Sequence, residues 1–150
     1  MKSILVIILS GILGTSGMSF VMWFITRSGL ANADMIRAIG SIYTRSYGNA
    51  FIPGIVIHFT AGIVIAFFYA AFLSLFSLSS VGSYIGIGAM VGVFHGLVVS
   101  FLLVVLVAEH HPLEQFRKGG SEVAVAHLVG HIIYGLIVGA VIGIGGIRFL

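Results

Sequence analysis

The residues of this chain best suited to chemistry are its six histidines. His127 and His131 stand four apart in AVAHLVGHIIYGLIVGAVIG, so on a helix they share one face. His58 and His95 lie in two further apolar runs, and His110 and His111 fall in the polar stretch EHHPLEQFRKGG. An imidazole inside an apolar helix is costly to desolvate and must point at a partner rather than at lipid. Counted in from the polar end of each run, His58 and His131 lie at similar depth, roughly 12 to 14 Å at about 1.5 Å per residue. That places two axial ligands for a haem b iron on two helices. Gly54 and Gly62 flank His58 at intervals of four, and Gly135, Gly139 and Gly143 continue the line from His131. These small residues mark interface faces and would leave room for a porphyrin. A second chemistry puts His127 and His131 together with His58 or His95 as a three-histidine site for copper, zinc or iron. The third is a proton or cation path in which the histidines join Glu109, His110, His111 and Glu114, because imidazole titrates near neutral pH. Against all three stands plain packing, in which each imidazole bonds a backbone carbonyl or a neighbour such as Thr60, Ser100 or Tyr134.

Composition decides the surroundings. With 59% hydrophobic and 7% charged residues and a mean hydropathy of +1.22, the chain reads as a membrane protein. Its basic excess is seven Lys and Arg against four Asp and Glu, too few and too scattered for a nucleic-acid footprint. The absence of cysteine excludes disulfides, thiolate nucleophiles and Cys-ligated metals. Asp34 is the sole aspartate and lies in a loop, which argues against a Ser-His-Asp triad, and no phosphate loop or dinucleotide fingerprint is present. An enzyme is not expected.

The fold class expected is all-α, a single four-helix transmembrane domain over 1–150 with spans near 4–25, 50–77, 84–108 and 121–148. Lys2 before an apolar run of about 22 residues imitates a secretory signal, but the length and the missing cleavage site favour a retained span. Between the first two spans Met35, Ile36, Ile39, Ile42 and Tyr43 recur at helical spacing behind Asn32 or Asp34 as cap, which predicts an amphipathic interfacial helix over 32–44. Pro53 falls in the first turn of the second span, where its missing N–H costs little. Ser79 to Ser83 read as a hairpin, Pro112 as the start of a short turn released by Gly119 and Gly120, and Ser121 as the cap of the last span.

The opening GTSGMSFVMW, the loop SGLANADMIRAIGS and the second-span string HFTAGIVIAFFYA together resemble a family of small four-helix prokaryotic integral membrane proteins. The resemblance covers about the first half of the chain. It implies four spans and draws attention to His58, and it implies no activity. The function expected is a non-catalytic accessory subunit of a larger energy-converting or redox membrane complex, with haem b between His58 and His131 as its cofactor. The alternative is a small homo-oligomeric transporter or channel for metal ions or protons through His58, His95, His127 and His131. The partners expected are the bilayer and other membrane subunits, without nucleic acid or a soluble substrate.

Basic residues orient the chain in the cytoplasmic membrane. Arg27, Arg37, Arg45, Arg117 and Lys118 lie in the first and third connections and only Lys2 and Arg148 on the other side, so loops 26–49 and 109–120 are expected in the cytoplasm and both termini outside. Because the sequence has no cysteine, single Lys2→Cys and Arg45→Cys variants check this directly. A membrane-impermeant maleimide applied to intact spheroplasts should label Lys2→Cys at once and Arg45→Cys only after lysis; the opposite pattern inverts the topology.

Overall fold

The structure is a computed structural model that describes residues 1–102, 110–118 and 120–146. Every regular element in those residues is a helix. In chain order they are α1 (Lys2–Arg27), α2 (Met35–Thr44), α3 (Phe51–Leu73), α4 (Val81–Leu102), α5 (Glu114–Arg117) and α6 (Ser121–Gly145). The four long ones, α1, α3, α4 and α6, are long and apolar enough to cross a membrane. Glu109, Gly119, Arg148 and the expected ends of the third and fourth spans lie outside the described residues.

The helix ends follow local chemistry. Asp34 caps α2 by accepting a hydrogen bond from the Arg37 N–H at 3.2 Å, and the helix stops at Arg45, the one non-glycine residue described with a left-handed backbone (φ 50°). The second span ends at Leu73, earlier than the expected 77. Beyond it the Ser74 hydroxyl bonds the Ala71 carbonyl at 2.7 Å and the next amides reach only three residues back, which tightens the chain out of the α-helix. The third span begins at Val81 rather than Tyr84 because the Ser80 hydroxyl accepts from the Ser83 N–H at 3.2 Å, so part of the expected hairpin is a helix cap. Ser121 is not the cap of α6. The extended residue Gly120 holds that position, with no side-chain bond to the helix start.

α6 is the hub. It packs most extensively on α4 and next on α1, α1 in turn packs on α3, and α3 touches α4 and α6 only sparsely. The dominant seam is backbone on backbone. A methyl group added at Gly88 would collide with the Gly135 carbonyl oxygen, one at Gly135 with that of Gly88, and one at Gly139 with that of Tyr84. In lipid, where apolar burial gives no net drive, such close approach gains dispersion contacts over the whole seam. Gly62 receives the Thr15 side chain of α1, while Gly40 and Gly54 bring α2 against the start of α3. Ile7, Leu73, Tyr134, Val138 and Ile142 fill the core between these contacts.

The seam predicts an asymmetric glycine scan. Gly88→Ala should destabilise the bundle by about 1–3 kcal/mol through overpacking. Gly86→Ala should be silent, because nothing stands within 4 Å of the position its Cβ would take. Thermal unfolding of both variants in one detergent checks the contrast, and equal midpoints would show that α4 and α6 do not meet at this seam.

Candidate functional site

His127 and His131 project from α6 into the bundle and are both buried. Each donates from Nδ1 to the carbonyl four residues back, His127 to Val123 and His131 to His127, both at 2.7 Å. A carbonyl oxygen only accepts, so Nδ1 carries the proton, and a neutral imidazole then presents a lone pair at Nε2. For His127 that atom abuts the Met35 sulfur of α2 at 3.3 Å. His131 itself is among the residues that line a cavity in the bundle.

That cavity, of about 250 Å³, lies among α1, α2, α3, α4 and α6. His58, His95 and His131 all reach its wall, with Thr15, Tyr134 and Met35 beside them. His58 and His131 therefore line one space, yet the closest imidazole pair is His95 with His131, whose ring centroids are 4.5 Å apart at 78°. Gly92 and Gly96 make this possible: they let α4 lie so close to α6 that a Cβ at either would press on the His131 backbone or side chain. His95 thus comes to the level of His131. Tyr69 of α3 approaches His95 Nδ1 with its hydroxyl at 3.4 Å, and the Tyr134 hydroxyl donates to the Gly62 carbonyl at 2.6 Å, tying α6 to α3.

Thr60 is exposed on the outer face of α3, and Ser100 donates to the Ala124 carbonyl, so neither serves the histidines. The residues that sequence reasoning passed over are Thr15, Met35, Ile65 and Tyr69. A signal for two of them existed: His58, Gly62, Ile65 and Tyr69 follow one another at intervals of four, three and four on a single helix face. Thr15 carries no such signal. The Thr15 side chain is among those lining the cavity, but its hydroxyl is buried against Gly62 with no hydrogen-bond partner.

The described residues do not fit the cofactors that the spacing suggests. Among them no three His, Asp or Glu side chains converge as a metal site, because His127 is turned to Met35 while His95 and His131 pack edge to face. The room that a porphyrin would need beside Gly54, Gly62, Gly135 and Gly139 is filled by Ile36, Thr15, Gly88 and Tyr84, and Gly143 lies against the Tyr84 ring. What remains falls below the roughly 300–1,000 Å³ of pockets that hold drug-sized ligands. A haem between His58 and His131 does not fit this packing.

The polar loop has a separate role. His111 is buried, accepts from the Leu113 N–H at Nδ1 (3.1 Å) and donates from Nε2 to the Ala38 carbonyl of α2 (3.0 Å), while its ring meets Phe116 edge-on. It clamps the connection before α6 onto α2. Beside it Asp34, Arg37 and Tyr47 form a partly exposed cluster in which the Tyr47 hydroxyl donates to Asp34 at 3.0 Å and the Arg37 guanidinium lies over the Tyr47 ring. Burial, and then the bond to Asp34, push the Tyr47 phenol above its ordinary range, so it stays protonated.

Compared with models of known protein families, with curated proteins and with solved structures, the chain matches none. The resemblance to the small four-helix family therefore gains no support from these comparisons, and the functional reading rests on this chain's own geometry.

Proposed function

We propose that the chain is a non-catalytic subunit of a larger membrane assembly of the energy-converting or redox kind, its loops 26–49 and 109–120 on the cytoplasmic side. The observation that supports this most is the seating of α2. It supplies Met35 and Ile39 to the wall of the histidine cavity and is fixed to α3 backbone to backbone, Gly40 against Ala50 and Gly54 against Ile36. A conduit for ions through the histidines would need a mouth at this end. Instead α2 is packed there on the start of α3 and held again by His111 from the connection before α6. Such a bundle suits a stationary partner better than a gate.

The same end offers a platform for docking. Tyr43 and Arg45 are exposed at the end of α2, and Tyr47, Gln115 and Lys118 line an open groove of about 470 Å³ beside it. The mixed polar and aromatic character of this surface is that of a subunit interface rim.

Gly40→Leu would drive a side chain into the Ala50 carbonyl and dislodge α2. Solubilised in mild detergent from its native membrane, the unmodified chain should migrate with larger partners, and Gly40→Leu should lose them while the four spans still insert. A chain that runs as a symmetric homo-oligomer and carries protons or metal ions into liposomes would contradict the subunit reading and favour the channel.

A further inference from the structure

His127 and Met35 meet in a way that a hydrogen bond between neutral groups does not explain. The Nδ1–H of His127 is committed to the Val123 carbonyl at 2.7 Å, and moving that proton to Nε2 would set two acceptors against each other there. Nε2 of the neutral ring therefore carries a lone pair. The atom it meets at 3.3 Å is the Met35 sulfur, which has lone pairs and no proton to give. A second ring proton would join them only by charging an imidazole that is 5% exposed. Two buried electron-pair donors, one nitrogen and one sulfur, thus meet between α6 and α2.

More sulfur stands beside them. Met18 and Met22 of α1 are buried and close on Gly130, three residues along α6 from His127. A Cβ added at Gly130 would stand 3.1 Å from Met18 Cγ and 3.2 Å from Met22 Sδ. Three of the chain's five methionines therefore belong to the core where α1, α2 and α6 meet, whereas Met1 and Met90 are exposed. Met18 and Met35 also line the cavity of about 250 Å³, so these unbranched side chains have space in which to turn. Bonds of about 2.0 Å to nitrogen and about 2.3 Å to sulfur at a trigonal angle set the two donors about 3.7 Å apart. A shift of Met35 by a few tenths of an ångström meets that requirement.

The donors select the ion. Among the described residues no three His, Asp or Glu side chains converge, and the Asp34 carboxylate is turned to the Arg37 N–H and the Tyr47 hydroxyl. Neutral donors do not offset a divalent charge, and the cost of burying an ion rises with the square of its charge. Thioethers are soft ligands and favour monovalent copper over zinc or iron.

We infer that His127 Nε2 and Met35 Sδ, joined by a thioether of α1, bind one copper(I) ion at the junction of α1, α2 and α6. The bound ion ties α2 to the two helices beneath it. The site lies within this chain and does not rest on the assembly proposed above.

The test uses the full chain in detergent, purified through a tag without histidine, with copper(I) held reduced by ascorbate and titrated against a chromogenic copper(I) chelator. The unmodified protein should take up one equivalent that zinc(II) at the same concentration does not displace. Met35→Leu keeps the side-chain volume and removes the sulfur, and it should weaken binding about tenfold or more. Met18→Leu combined with Met22→Leu should weaken it too, and Met90→Leu should leave it unchanged. X-ray absorption of the loaded, unmodified protein should show both nitrogen and sulfur bonded to the ion, a readout that needs no variant to fold. No uptake of copper(I), displacement by zinc(II), full affinity in a folded Met35→Leu protein, or an ion bonded to nitrogen or oxygen alone would each overturn the inference. None of these results bears on whether the chain joins a larger complex.

Discussion

Everything in this bundle depends on how near two helix backbones can come when no Cβ stands between them. Gly88 and Gly92 of α4 meet the Gly135 and His131 carbonyls of α6, and Gly11 of α1 meets the backbone of α3. Among helices in lipid the gain from association is dispersion and backbone proximity rather than loss of water, so the glycines decide which faces meet. They also decide what cannot meet. Because α4 spends its small face at Gly88, Gly92 and Gly96 on α6, its residues Met90, Val91, Phe94 and His95 line the cleft beside α3.

The polar interior follows from that asymmetry. α3 is tied to the bundle through α1 and through single bonds such as Tyr134 to the Gly62 carbonyl, and the space it leaves collects the histidines. Each buried imidazole whose Nδ1 bonds the preceding turn keeps its own helix satisfied while exposing Nε2. His127 places that atom against Met35 and is closed off, whereas His131 is among the residues lining the cavity. α2 and the His111 clamp then fix the loop end.

Much of the architecture was legible in the sequence. The four apolar runs, the amphipathic α2 and the Asp34 cap follow from hydropathy, period and capping chemistry, and the small-residue stripes pointed to the faces that pack. The errors have local causes. A serine one residue from a helix start looks the same whether it caps or begins the helix, which is why Ser80 was missed and Ser121 misassigned. The partner of each histidine was not legible, because the pairing of His95 with His131 depends on how close two helices lie, and hydropathy carries no such distance. Glycine at intervals of four reads equally as room for a cofactor or as room for a neighbouring backbone. Here it is the second, and the porphyrin reading of His58 and His131 goes with the first.

The central claim is that α3 stands off α4 and leaves an apolar cleft that borders the histidine cavity at Ile65 and His95. The most direct measurement is an experimental map of the chain in a lipid nanodisc, with a rigid binding protein added for mass. The account predicts α4 and α6 in backbone contact at Gly88 and Gly135, and α3 and α4 separated by a cleft that reaches the level of His95. A map in which α3 packs directly along α4, with His95 turned out and no opening beside Phe94, would contradict it.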